Sequence, residues 1–115
     1  MWKKVFDKLK ENNLNPYPPG KHEGLCLERY CVVREGSQVP YFHSRHTGYS
    51  VIDIILFVPI SSYVEIEPYA SEIRIALKEL NFLRKTGNET PVITDDEKEA
   101  YTMSIEYQII KKLEG

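Results

Sequence analysis

Tyr101-Thr102-Met103-Ser104-Ile105-Glu106-Tyr107-Gln108-Ile109 decides the fold. Tyr101, Met103, Ile105, Tyr107 and Ile109 alternate with Thr102, Ser104, Glu106 and Gln108. Side chains on a strand have a period of two, so this stretch buries one row and turns the other towards water or a partner. Upstream, Tyr49 to Val58 is apolar on both faces except at Asp53, as expected of a central, well-covered strand, and Pro59 closes it. Leu25 to Arg34 contains Tyr30, Cys31, Val32 and Val33, which suit another strand. Glu35-Gly36-Ser37 supplies the turn after it, and Tyr41 to Arg45 fits the returning strand, before the break at Thr47-Gly48.

Two helices accompany these strands. Trp2, Val5, Phe6 and Leu9 recur at i, i+3, i+4 and i+7 with lysines between them, the pattern of a short amphipathic helix. It stops near Asn12-Asn13, and Pro16, Pro18, Pro19 and Gly20 then enforce an irregular connection. After a linker from Ser61 to Glu67, Pro68 suits a first helical position, and the spacing predicts a helix running to about Lys85 with Gly87 as its left-handed stop. Asn88 to Glu99 reads as a solvated loop carrying Asp95, Asp96, Glu97 and Glu99. The expectation is a single α+β domain over residues 1–115, with a mainly antiparallel four-stranded sheet and two helices in the order α-β-β-β-α-β.

On the long helix Tyr69, Ile73, Ala76, Leu77, Leu80 and Leu83 share one side, which is expected to pack on the sheet. Ile75 and Phe82 fall on the opposite side, beside Ser71, Lys78 and Glu79. Burying both against a neighbour contributes on the order of 3–5 kcal/mol, at about 1.5–3 for each side chain. The alternative is that one of the two is covered by the N-terminal helix, or simply exposed. The 8 tyrosines among 115 residues add large faces with polar tips, which suit contact surfaces.

A formal net charge of -2 offers no general field for a polyanion. Lys3, Lys4, Lys8 and Lys10 form a local basic cluster, but they occupy the wetted side expected of an amphipathic helix. The longest apolar run, Ile54 to Ile60, is much too short to span a bilayer, and the N-terminus has no long apolar signal core. A cytosolic chain with Cys26 and Cys31 reduced and buried is therefore expected.

His22, Cys26, Cys31, His43 and His46 invite a metal reading, but their spacing opposes it. Within regular strands Cys26 and Cys31, and likewise His43 and His46, point to opposite faces, unlike the close ligand pairs of zinc sites. Asp95, Asp96, Glu97 and Glu99 lack the alternation and the glycine of a calcium loop. There is no nucleophile elbow, dinucleotide fingerprint or phosphate-cradling loop, and Pro18-Pro19-Gly20-Lys21 is a turn. The expectation is a non-enzymatic protein with no cofactor, no metal and no catalytic residues.

Several segments together resemble the tail-terminator or tail-completion proteins of phage tails, and the collar proteins of phage-tail-like contractile bacteriocins. They are the N-terminal helix, Tyr17-Pro18-Pro19-Gly20-Lys21-His22-Glu23-Gly24-Leu25-Cys26, Tyr30-Cys31-Val32-Val33-Arg34-Glu35-Gly36, the Gly48 to Pro59 strand, the long helix, Thr86-Gly87 and the final Tyr/Ile strand. The resemblance covers almost the whole chain and rests on element order and texture. It implies a hexameric ring, assembled in the bacterial cytoplasm, that caps the head-proximal end of the tail tube, ends tube growth and joins the last sheath ring. The implied partners are copies of the chain, the tail tube protein, the tail sheath protein and, in a complete phage, the head connector, with no membrane and no specific nucleic acid. A ring requires a heterologous interface. Candidate contacts are Ile75 and Phe82 on the helix, Glu35 and Gln38 in the hairpin of residues 35–40, and Asp95 and Asp96 in the acidic loop. The alternatives are another neck or head–tail joining protein, and a small RNA-binding domain stacking bases on Tyr30, Tyr41, Phe42 and Tyr107.

Overall fold

In a computed structural model, which describes residues 2–36, 39–40 and 48–110, the alternating C-terminal stretch is strand β7, Ala100–Ile110. It pairs antiparallel with β4, Gly48–Pro59, in unbroken register from Tyr49 opposite Ile110 to Pro59 opposite Ala100. Ile52, Ile54, Leu56 and Val58 of β4 and Met103, Ile105, Tyr107 and Ile109 of β7 are buried on one face. Two helices cover that face. Helix α1, Trp2–Glu11, buries Val5 and Leu9, and α2, Ile66–Leu77, buries Ile66, Tyr69, Ala70, Ile73, Ala76 and Leu77 in the same core.

The remaining strands are β1 (Pro16–Tyr17), β2 (Tyr30–Glu35), β3 (Val39–Pro40), β5 (Leu83–Glu89) and β6 (Ile93–Asp95). The main strand path is β1-β2-β4-β7-β5, with β3 on β4 and β6 on β7. β1 runs parallel to β2, and every other pairing is antiparallel. The α+β class and the two helices hold, but among the described residues the expected four-stranded antiparallel sheet is a mixed sheet of seven strands. The expected strand from Tyr41 to Arg45 lies outside the described residues.

The principal correction concerns the second helix. It ends at Leu77, a turn follows, and Leu83–Glu89 is a strand against β7. Leu80 and Leu83 continue the helical spacing of Ile73, Ala76 and Leu77, so burial is the same for either conformation and periodicity does not separate them. Pairing does. Without β5, residues 105–109 of β7 would present an unpartnered, strongly apolar edge, and satisfying those backbone groups outweighs the helix preference of Lys78 to Lys85. Gly87 does take the left-handed conformation anticipated for a helix stop, with φ 91°, but it sits inside β5 where the register slips between Lys85 and Glu89. A bulge makes the same demand on its glycine as a helix end does.

Two smaller revisions follow the same logic. The expected linker is a 3₁₀ segment, Ile60–Glu65, running straight into α2, where Pro68 lies in the first turn and its missing N–H removes no helical bond. The expected acidic loop contains β6, and the proline-rich connection contains β1.

Replacing Ile54, fully buried at the centre of β4, by alanine is expected to lower the free energy of unfolding by about 2–5 kcal/mol, read from urea denaturation midpoints. Gly87→Ala should cost about 1 kcal/mol through its positive φ alone, since nothing lies within 4 Å of the position its Cβ would take.

Candidate functional site

The face of the sheet away from the helices carries three rows of side chains in register. Tyr30, Phe57 and Thr102 form the first, Val32, Ile55 and Ser104 the second, and Arg34, Asp53 and Glu106 the third. Their surroundings differ, and the difference starts with the loop between β1 and β2.

That loop folds over the first row. The His22 ring lies flat on Tyr30, with centroids 3.6 Å apart and planes at 4°, and Tyr30 stacks on Phe57 at 4.7 Å. Tyr17 meets both His22 and Tyr30 edge-on. Cys26 anchors the loop by donating its N–H to the Lys98 carbonyl at 2.8 Å, while Lys98 Nζ donates back to the Gly24 and His22 carbonyls at 3.3 and 3.5 Å. His22 Nδ1 and the Tyr30 hydroxyl are both buried without a protein partner. Burial, and then the Lys98 ammonium, lowers the His22 pKa from its ordinary value, and burial raises that of Tyr30.

The second row is half-buried, and the third is a polar groove of about 400 Å³. Asp53 and Glu106 are cross-strand neighbours, an arrangement that costs energy for like charges unless each is compensated. Arg34 donates to Asp53 at 2.9 Å, and Glu106 accepts from Thr86 Oγ1 at 2.7 Å and Asn88 Nδ2 at 2.9 Å. The two carboxylates are therefore separately satisfied within the fold.

Neither thiol is an activated nucleophile. Burial pushes the Cys31 thiol up to about 12, and its Sγ lies 3.7 Å from the Leu14 carbonyl. Cys26 is likewise shifted up by burial, and its thiol donates to the Glu28 carbonyl at 3.2 Å. Both stay protonated at neutral pH, whereas nucleophilic attack and metal ligation use the thiolate. Among the described residues no three or more His, Cys, Asp or Glu side chains are grouped to hold a metal ion. No described helix is long and apolar enough to cross a membrane.

The exposed apolar side chains are the most uneven feature of the surface. Leu25 and Leu27 flank the anchored Cys26, and Leu27 is 83% exposed. Ile60 donates its N–H to the Glu99 carbonyl at 3.0 Å, and Tyr63 packs edge-on against Tyr101, which sets the 3₁₀ segment beside the start of β7. Val64, on that segment, is 82% exposed. Ile93, opposite Thr102, is exposed at the same end of the sheet.

The residues expected at interfaces do not gather in one place. Ile75 is exposed on α2, but Phe82 has left the helix and lies half-buried against the core with Lys4 Nζ 5.9 Å from its ring centre. The expected outward pair on one helix face therefore does not exist. Glu35 is exposed at the end of β2, and Gln38 lies outside the described residues. Asp95 and Asp96 do sit at the apolar end, where Asp95 Oδ1 accepts the Lys98 N–H at 3.2 Å and Asp96 is exposed in the turn to β7. Leu25 and Leu27 fall inside the strand expected from Leu25 to Arg34, which in the structure begins only at Tyr30, and Tyr63 and Val64 fall in the expected linker, so none of the four stands out as a contact residue. Four large apolar residues close to Gly24 and Pro59, outside any strand or helix period, are the available signal.

Compared with known proteins, the sequence matches no family model and no curated sequence.

The stacked histidine makes stability depend on pH. Its folded pKa lies below the unfolded value near 6.5, so the unfolded chain binds more protons between the two. The contribution is complete above pH 6.5 and is lost as pH falls through that window. In urea melts between pH 8 and pH 5, His22→Phe should lose less stability than the wild type; equal losses would remove His22 as the cause.

Proposed function

We propose that this chain is a structural assembly subunit, one that joins copies of itself in a sixfold ring at the head-proximal end of a phage or phage-like contractile tail. There it ends tube growth and anchors the last tube and sheath ring.

The observation that carries this reading is the clustering of exposed apolar surface: among the described residues, six of the seven large exposed hydrophobic side chains, all but Ile75, lie at the end of the sheet where β7 begins. Scattered exposed hydrophobics are ordinary, but a gathered patch marks a contact surface.

The sheet edges support contact through side chains rather than strand addition. Along β5, Arg84, Lys85 and Glu89 and the Gly87 bulge interrupt the edge. At the other edge, the Trp2 indole donates to the Val33 carbonyl at 2.7 Å and the Asn15 carbonyl accepts the Cys31 N–H at 3.2 Å. The tail-specific part of the proposal rests on the resemblance carried by the segments around Tyr17 to Gly36, the β4 strand and the final strand. The long helix and a helix-ending Thr86-Gly87 no longer contribute to it. An RNA-binding role has less support, because Tyr30 and Tyr107 are buried and offer no face to a base.

Native mass spectrometry of the purified chain, with and without purified tail tube, tests the proposal. A sixfold species is expected in at least one condition, and a persistent monomer in both overturns it. Leu27→Asp with Val64→Asp should abolish that species while changing the unfolding free energy by no more than about 0.5 kcal/mol, since neither side chain is buried in the subunit.

A further inference from the structure

Charge is also divided between the two ends of the sheet. At the end where β7 begins, the turn from β6 carries Asp96, Glu97 and Glu99, all exposed, next to the apolar cluster. At the other end, Leu83 pairs with Ile109 and Arg84 with Gln108, and Lys4 lies over Phe82. Trp2 reaches the Val33 carbonyl near that end, so the start of α1 brings exposed Lys4 over Phe82, two residues before exposed Arg84, while Lys3 pairs with Asp7 at 3.0 Å. Beneath these cations lie aromatic rings, since Trp2 stacks on Phe6 at 5.0 Å and both, like Phe82, are half-buried.

We infer that the acidic, apolar end of one subunit docks on the basic, aromatic end of the next copy. The inference deepens the assembly reading and rests on it. The occupant is a second copy because the chain itself carries both complementary halves. Most of the length of β7, 11 residues, separates them, so neither end reaches the other within a subunit. Two different patches meeting make the contact heterologous, the kind that closes into a ring when the rotation between neighbours permits. Opposite charges at the rims set orientation and exclude like ends, while the apolar side chains supply the buried area. Lys4 and Arg84, and the acids before β7, each an ordinary solvated group within one subunit, acquire a common role.

A charge-swap experiment decides the matter, using sedimentation or native mass spectrometry under whichever condition, free or on tail tube, assembles the wild type. Variant one, Asp96→Lys with Glu97→Lys, has two basic ends; variant two, Lys4→Glu with Arg84→Glu, has two acidic ends. All four positions are exposed, and circular dichroism and urea melts establish that both variants fold. Each variant alone should associate at least tenfold more weakly than the wild type, and an equimolar mixture should restore assemblies in which the two alternate. Raising salt from about 0.05 to 0.5 M should weaken the wild-type contact, as screening requires. Variants that assemble alone like the wild type, or a mixture that fails to recover, overturn the end-to-end contact while leaving the assembly reading standing. A wild type that assembles in neither condition overturns both.

Discussion

The antiparallel register of β4 on β7 is the constraint from which the other features follow. Eleven residue pairs are set at once, from Tyr49 with Ile110 to Pro59 with Ala100. A shift of β4 by one residue would turn Asp53 towards the helical core and expel Ile52 and Ile54. Burying an unpaired carboxylate costs several kcal/mol, and losing each isoleucine from the core adds about 1.5–3. The alternation of Ile105 and Tyr107 with Glu106 imposes the same choice from the partner strand. With the register fixed by both strands, one face belongs to α1 and α2, and the other must be closed by the loop between β1 and β2 and by its own polar pairs.

That second face is stabilised unevenly. Over Tyr30 and Phe57 the loop supplies His22, Tyr17 and Cys26, forming a small aromatic core apart from the main one. Over Arg34, Asp53 and Glu106 charges and hydrogen bonds suffice, since each carboxylate has its own donors. The loop that protects the aromatic row also thrusts Leu25 and Leu27 outwards, because anchoring the intervening Cys26 to Lys98 turns its neighbours away from the sheet. The exposed leucines are thus a consequence of how the face is closed.

Much of this was legible from residue order. The alternation in Ala100–Ile110, the apolar run of β4 and the spacing of Trp2, Val5, Phe6 and Leu9 each have one physical reading, and the structure adopts it. Lys78 to Lys85 was misread because Leu80 and Leu83 satisfy a helix and a turn-plus-strand equally, and the deciding factor, the unpaired edge of β7, is not local in sequence. Short strands such as Pro16–Tyr17 and Ile93–Asp95 carry too few residues for a period. The aromatic stack was hidden for another reason: His22, Tyr30 and Phe57 come from three distant segments, and no spacing rule relates them. Of the candidate contact residues, Asp95 and Asp96 reach the apolar end, whereas Ile75 and Glu35 lie elsewhere.

Acidic charges left unpaired by the fold stand at its apolar end. Arg34 with Asp53, Arg74 with Glu89 and Arg29 with Glu72 are pairs that the fold brings together and satisfies internally. Asp96 and Glu97 take part in no ion pair among the described residues, and they stand in a turn beside Glu99. Such neighbours repel one another, and water and salt screen the repulsion only in part. Lys98, in the same turn, offsets them only in part because its ammonium is held by the Gly24 and His22 carbonyls, so placing these acids beside exposed leucine and valine does nothing for the isolated fold. In the end-to-end contact inferred above, these acids would keep like ends apart, and approach of a cationic surface would relieve the repulsion, coupling burial of the apolar side chains to arrival of the complementary end.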